Sequence, residues 1–169
     1  MGTRSRIGVM HGDVVKSVYC HWDGYLACNG RILLEHYDST KANELISLGN
    51  ISALRPNIGE KHAFSQFELD AKQRDTYNTM YGEMTTFYGR DRGETDQAWQ
   101  VAHTFVEFMD QVNSCDAEYY YIMKDGEWFA GATSKPDGLS EPLNSLAGAL
   151  VWNELIERDI VLGWDKVIL

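Results

Sequence analysis

The chain has 169 residues, 44% of them hydrophobic and 24% charged, so it is long and apolar enough to bury one globular core. It has no run of about 18 apolar residues, which excludes a membrane-spanning helix. Its net charge of −10 leaves no basic surplus for nucleic acid. The composition therefore predicts a single compact domain over residues 1–169 that binds neither a membrane nor nucleic acid.

The negative charge is concentrated toward the C-terminus. Residues 95–169 carry thirteen Asp or Glu against four Lys or Arg, whereas residues 1–60 carry six of each. A solvated acidic surface is the simpler interpretation, and a contact surface for a basic partner is the alternative. The N-terminal residues have no apolar stretch behind them, so no secretion signal is predicted. Three cysteines without framework spacing are typical of reduced thiols in a cytoplasmic protein.

A β-hairpin opens the predicted fold, because apolar and polar residues alternate on both sides of a turn at His11–Asp13. The elements predicted up to residue 62 are, in chain order, strands Arg4–Met10 and Val14–Trp22, helices Gly30–Tyr37 and Ser39–Leu48, and a loop Ile51–His62. Either Ser39 or Thr40 is expected to cap the second helix. Proline and glycine favour the loop.

A second hairpin and a long amphipathic helix are predicted in the rest of the chain. The elements are, in order, a helix from Ser65 to about Tyr81, a strand Met84–Tyr88, a charged loop Gly89–Glu94, a helix capped by Thr95, strands Glu118–Met123 and Glu127–Ala132, a loop Ser134–Glu141 and a helix Leu143–Arg158. Ala98, Phe105 and Val112 give the helix after Thr95 its 3.6-residue period. The apolar end Val161–Leu169 is expected to pack on the domain or on a second chain, which would make the protein a homo-oligomer.

This order of elements predicts an α+β fold. Two hairpins plus one strand form a mostly antiparallel sheet, and about four to five helices cover it. No internal repeat and no linker divides the chain.

The end of the second predicted strand concentrates side chains that are suited to ligand binding. Tyr19, His21, Trp22, Asp23 and Tyr25 lie within seven residues. Tyr19 and His21 share a face because side chains alternate along a strand. His21 oriented by Asp23 would be a general base, whereas His21 in a binding site would hold a ligand on which Trp22 or Tyr25 stacks. Ordinary packing with a turn at Asp23 is the structural alternative.

The charged loop after the third predicted strand is the second candidate region. The residues considered there for ligand binding are Tyr88, Arg90, Asp91, Arg92 and Glu94. Arginines fork onto phosphate or carboxylate, and backbone N–H groups at the start of the following helix would add anion affinity. Pairing of the arginines with Asp91 or Glu94 inside the loop is the structural alternative.

Metal and cofactor motifs are missing from the sequence. Cys20, His21, Cys28 and His36 follow no standard zinc spacing, and Cys115 stands alone. Neither a P-loop nor the sequence around a hydrolase nucleophile occurs. We therefore expect no metal and no cofactor.

Four stretches resemble a family of small uncharacterised proteins that occur in bacteriophages and prophages. They are Gly2–Ile7, Val18–Tyr25, Gly59–His62 and Tyr88–Glu94, and the aromatic hairpin with Tyr119–Tyr121 and Trp128–Phe129 is also similar. The likeness covers about the first 130 residues, although Cys28 and its surroundings depart from it. The resemblance implies a phage context without an assigned activity. Small acidic phage proteins without an enzyme motif often bind a host component, which is an analogy rather than a derivation.

Three functions follow from these observations. The first is a phage-encoded cytoplasmic binding protein that inhibits or modulates a host or anti-phage defence protein. The second is a binder or sponge for a phosphorylated nucleotide, with Arg90 and Arg92 on the phosphate. The third is a phosphodiesterase or nuclease in which His21 is the base and Asp23 orients it. A composite site requires the end of the second strand and the charged loop to be neighbours in the fold.

Overall fold

The computed structural model describes residues 2–62, 70–72, 82–133 and 144–150, and one mixed β-sheet runs through these ranges. Its eight strands are, in chain order, β1 (Ser5–His11), β2 (Val14–Cys20), β3 (Ile51–Ala53), β4 (Thr86–Phe87), β5 (Gln100–Ala102), β6 (Tyr119–Lys124), β7 (Glu127–Ala132) and β8 (Asn144–Ser145). Their spatial order is β4-β3-β2-β1-β6-β7-β8, and β5 pairs with β2. Of the described pairings, β1 with β6 and β2 with β3 are parallel and the others antiparallel. The predicted α+β fold with a mostly antiparallel sheet is confirmed.

Both predicted hairpins are present. β1 and β2 pair around a turn in which Gly12 has a φ of 61°, and β6 and β7 pair around Asp125 and Gly126 with φ values of 51° and 79°. Two successive residues with positive φ give the tight turn whose twist matches that of the flanking strands. The Asp-Gly pair in the sequence therefore fixes the second hairpin.

The described helices are short. They are α1 (Arg31–His36), which follows a π-helical turn at Leu26–Gly30, α2 (Ser39–Ser47) and α3 (Phe105–Ser114), and residues 146–150 are helical as well. The cap of α2 was predicted one residue too late: Asp38 Oδ1 accepts a hydrogen bond of 2.8 Å from Lys41 N. A carboxylate there also faces the positive end of the helix dipole. No helix of the described ranges has the length and apolar character needed to cross a bilayer.

Two sequence predictions between residues 51 and 105 were wrong. The predicted loop Ile51–His62 begins with β3, which pairs with both β2 and β4. The helix predicted from Thr95 begins only at Phe105 and is capped by Thr104, whose hydroxyl accepts from Glu107 N. Asp96 has a φ of 58°, which ends any helix there, and β5 pairs with β2 over the residues assigned to the first helical turns.

The remaining predictions fall wholly or partly outside the described ranges. They are the helix from Ser65 to about Tyr81, the loop Ser134–Glu141, the helix Leu143–Arg158 and the end Val161–Leu169. Where the structure does describe this part, β8 precedes the helical residues 146–150, so the predicted start at Leu143 was too early.

Apolar side chains fill both faces of the sheet. On one face, Val18 of β2 belongs to a cluster with Leu45 of α2. On the other face, Val15 of β2 packs with Phe108 of α3. Odd-numbered residues of β2 therefore face α3, and this alternation places Tyr19 on the α3 face as well.

Candidate functional site

The end of β2 presents two hydrogen-bonded side chains. The Tyr19 hydroxyl lies 2.6 Å from His21 Nδ1, and the two rings meet edge to face. Trp22 follows with its ring centroid 4.6 Å from that of His21, and 44% of its surface is exposed. Strand alternation explains this pair, as the sequence predicted. Trp22 provides an exposed apolar border beside the imidazole.

Asp91 and Arg90 of the charged loop face inward. The buried Asp91 carboxylate accepts hydrogen bonds from Phe87 N at 2.7 Å and from His62 N at 3.1 Å. The Arg90 guanidinium pairs with this carboxylate at 3.0 Å and donates to the carbonyl oxygens of Ile58, Gly59 and Thr85. These bonds engage all three guanidinium nitrogens and both carboxylate oxygens, so Arg90 and Asp91 build the frame of the loop, as in the structural alternative.

Arg92 and Tyr88 of the same loop instead approach the end of β2. The rings of Tyr19 and Tyr88 are nearly parallel, with an angle of 12° and centroids 6.5 Å apart. Arg92 Cζ lies 4.9 Å from the centroid of the Tyr88 ring, and Arg92 Nε pairs with Glu94 Oε2 at 2.9 Å. The structure therefore brings the two candidate regions together through Tyr19, Tyr88 and Arg92.

A third segment completes this surface. In the β1–β2 register, Arg6 is the partner of Tyr19 and Ser5 that of Cys20, so Arg4 comes next to His21 on the α3 face. Burial raises the pKa of Tyr19, and the neighbouring Arg4 opposes that rise. We call the surface formed by Arg4, Tyr19, His21, Tyr88 and Arg92 the His21 face. Sequence reasoning missed Arg4, although the predicted strands Arg4–Met10 and Val14–Trp22 contain both Arg4 and His21 and pairing them would have found it.

The His21 face is electropositive. Burial lowers the pKa of His21 below 6.5, and the positive charges of Arg4 and Arg92 lower it further. Beside Tyr19 in the register, Arg6 is only 3% exposed and donates to Ser17 and to Gln100 Oε1. None of the described residues forms an ion pair with Arg6, and burial lowers its pKa. Positive charge thus converges on His21, while Arg92 pairs with Glu94 and Arg4 lies 4.0 Å from Asp116.

The contact of 2.6 Å between the Tyr19 hydroxyl and His21 Nδ1 is compatible with either tautomer of the imidazole. We assign the hydroxyl as the donor, so Nδ1 accepts and the neutral imidazole carries its own proton on Nε2. In this assignment His21 Nε2 is a donor, like the two arginines of the His21 face, and the site offers donors to an anion.

Asp23 and Tyr25 lie apart from this arrangement. Asp23 has a φ of 56°. Burial raises the pKa of Cys28, and the charge of Asp23 raises it further. Cys28 is the largest cause of the raised pKa of Tyr25, and the charge of Asp23 is the second. In the described structure His21 takes its Nδ1 hydrogen bond from Tyr19 and none from Asp23. The chain turns at this point, where Asp23 has a positive φ and Gly24 N bonds back to Thr3 O. The predicted orientation of His21 by Asp23 is therefore replaced by orientation through Tyr19.

The thiols and histidines that were weighed as metal ligands do not converge. Cys20 is buried, and burial raises its pKa to about 11, which opposes the thiolate that a metal requires. Within the described ranges, no group of three or more His, Cys, Asp or Glu side chains is arranged to hold a metal ion.

Comparison with protein-family models, with curated proteins and with solved structures finds no match to this chain. The geometry of the His21 face therefore carries the functional argument.

Proposed function

We propose that the protein is a binding protein for a small phosphorylated ligand, which it holds on the His21 face. The observation that carries this proposal is the meeting of Arg92 and Tyr88 with the Tyr19–His21 pair: Arg92 Cζ lies 4.9 Å from the Tyr88 ring centroid, and the Tyr88 ring stacks against that of Tyr19. The positive charges of Arg4 and Arg92 also help to lower the pKa of His21, after burial. Two guanidinium groups that disfavour a proton on the imidazole also favour an anion beside it. A phosphate accepts several hydrogen bonds at once, and arginine forks match its geometry.

The tautomer of His21 adds specificity to this charge. Its Nε2–H donates to an oxygen of the bound phosphate while Tyr19 holds Nδ1. Because His21 is neutral, the arginines alone attract the negative charge of the phosphate. Salt screens this attraction, so the affinity should fall as the salt concentration rises. No bond is made or broken in this account, so the protein acts as a binder or sponge.

Arg92→Ala tests the proposal, with Arg31→Ala as a matched control. Arg92 and Arg31 have similarly exposed side chains, and each pairs with a glutamate, at 2.9 Å and 3.5 Å respectively. We expect the affinity for AMP, measured by titration calorimetry, to fall roughly tenfold or more in Arg92→Ala, because a charge-assisted contact is lost. Arg31→Ala should bind like the unchanged protein. Equal affinity in both variants would contradict the proposal.

A second candidate function is contact with a basic surface of a host or anti-phage defence protein in the bacterial cytoplasm. The start of α3 exposes Phe105 and Val106, and 71% of the Val106 surface is accessible. Acidic Glu107 and Asp110 border this patch, and residues 95–133 carry seven Asp or Glu against one Lys. An apolar centre with an acidic border complements a basic partner. Val106→Lys should abolish the capture of such a partner from phage-host lysate, and AMP binding should stay unchanged. Capture that persists in this variant would contradict the second candidate function.

A further inference from the structure

We infer that Tyr19 and Tyr88 form an aromatic clamp around the planar ring of the ligand, which makes the ligand of the His21 face a nucleotide. The inference rests on the proposed function, since it adds a base to the phosphate. It starts from the two nearly parallel rings, whose centroids lie 6.5 Å apart.

The two tyrosines come from chain segments that flank Asn50 at the start of β3. Tyr19 N donates to Asn50 Oδ1 at 2.9 Å, and Tyr88 N donates to Asn50 O at 3.1 Å. Adjacent strands lie roughly 4.8 Å apart, so two segments on either side of a third are anchored roughly 9.6 Å apart. The tyrosine rings are closer to each other than their anchors and therefore lean together above Asn50.

Asn50 is held down against the sheet between them. Its Oδ1 accepts from Tyr19 N, and its Nδ2 donates to Gln97 Oε1 at 3.1 Å. Both ends of the amide are thus engaged below the rings, and the side chain does not rise between them. The clamp contacts the faces of the base, which every base presents, so it does not select base identity.

The ring spacing is close to that of an occupied clamp. Carbon atoms in contact lie roughly 3.5–4.0 Å apart, so a ring between two others needs roughly 7–8 Å. The present 6.5 Å is slightly short of this. The wider spacing of the anchors lets the two side chains rotate apart by the missing distance.

Positive groups adjoin both sides of the clamp. The Arg92 guanidinium lies over the Tyr88 ring, and the positive charge of Arg4 acts on both Tyr19 and His21. A phosphate attached through a sugar to the clamped base would meet these arginines and His21. The clamp and the phosphate site together therefore fit a nucleotide better than an aliphatic phosphate.

The test compares AMP, UMP and ribose 5-phosphate as probes of the full chain by titration calorimetry. Both nucleotides should bind within about tenfold of each other, and ribose 5-phosphate roughly tenfold or more weaker, because one stacked base contributes that much. Tyr88→Leu should bring the ratio of AMP affinity to ribose 5-phosphate affinity from roughly tenfold or more down to about one, because only the nucleotide loses a stacked base. Circular dichroism of the variant checks that it is folded. Tyr88→Phe keeps the ring and should bind AMP nearly as the unchanged protein does, as should Tyr25→Leu, which removes an exposed ring outside the clamp.

The outcomes separate the clamp from the phosphate site. If ribose 5-phosphate binds as tightly as AMP and Arg92→Ala weakens both, the clamp is refuted and the phosphate site stands. If AMP and UMP differ by more than a hundredfold, the base is read at its edge and the inferred clamp is refuted. If none of the three probes binds, the proposed function is refuted together with the clamp.

Discussion

The end of β2 and the loop after β4 both contain polar and aromatic side chains, but these point outward at the end of β2 and mostly inward in the loop. Tyr19 and His21 stand on the sheet surface, and their backbone N–H groups are satisfied by the neighbouring segment, at Asn50 Oδ1 and Ile51 O. In the loop, Arg90 and Asp91 turn inward and satisfy backbone groups that have no strand partner. Charged side chains are available to a ligand where the backbone does not need them, and Arg92 is the loop's contribution to the surface.

The largest effect, a loss of unfolding free energy, is expected for Asp91→Ala, which tests the inward side of this comparison. The substitution leaves Phe87 N and His62 N without an acceptor and the Arg90 guanidinium without its carboxylate. Breaking a buried pair in this way costs about 3–5 kcal/mol of unfolding free energy. Chemical denaturation measures it, with Glu94→Ala as the control, since that exposed pair contributes about 0–1 kcal/mol. A loss for Asp91→Ala no larger than that for Glu94→Ala would show that the inward half of the loop is not its frame.

A smaller effect is expected for Tyr19→Phe, which tests the outward side of the comparison. It removes the hydrogen bond to His21 Nδ1 and keeps the ring that faces Tyr88. The free energy of unfolding should fall by about 1 kcal/mol, the usual net value of one hydrogen bond. AMP affinity should fall more clearly than stability, because His21 loses its fixed tautomer. A loss of several kcal/mol in stability without a change in affinity would mean that Tyr19 serves the core rather than the surface.

The smallest effect is the pH dependence that His21 gives to stability. Its pKa in the folded chain lies below 6.5, so between the two values the unfolded chain binds more protons. This contribution to stability is complete above pH 6.5 and is lost as the pH falls through the lowered pKa. The difference in unfolding free energy between the unchanged protein and His21→Asn should therefore shrink on acidification, by less than about 1 kcal/mol, since solvent screens the group. An increase of that difference at low pH would contradict the electropositive surroundings of His21.

The sequence predicts the parts of the fold that local chemistry controls. Gly12 and the Asp125-Gly126 pair fix both hairpins, and alternation along β2 puts Tyr19 beside His21. The three-residue β3 was missed because its partners come from distant parts of the chain. Without β3, the approach of Tyr88 to Tyr19 could not be predicted.

The inward position of Arg90 and Asp91 could not be predicted from the sequence either. Their partners at Ile58 and His62 lie about 30 residues away in the sequence. For the same reason the apolar period after Thr95 predicted a helix where pairing with β2 produces β5. Tertiary hydrogen bonding prevailed over local propensity at each of these places.

The most direct test of the central claim is the titration of the His21 imidazole by NMR, with and without AMP. We predict that its pKa lies below 6.5 in the free protein and rises when AMP saturates the site, because the bound phosphate offsets the charges of Arg4 and Arg92. His36, at the end of α1 and outside the His21 face, serves as the internal control. A His21 pKa that AMP leaves unchanged at saturation would contradict the claim that the His21 face holds the phosphate.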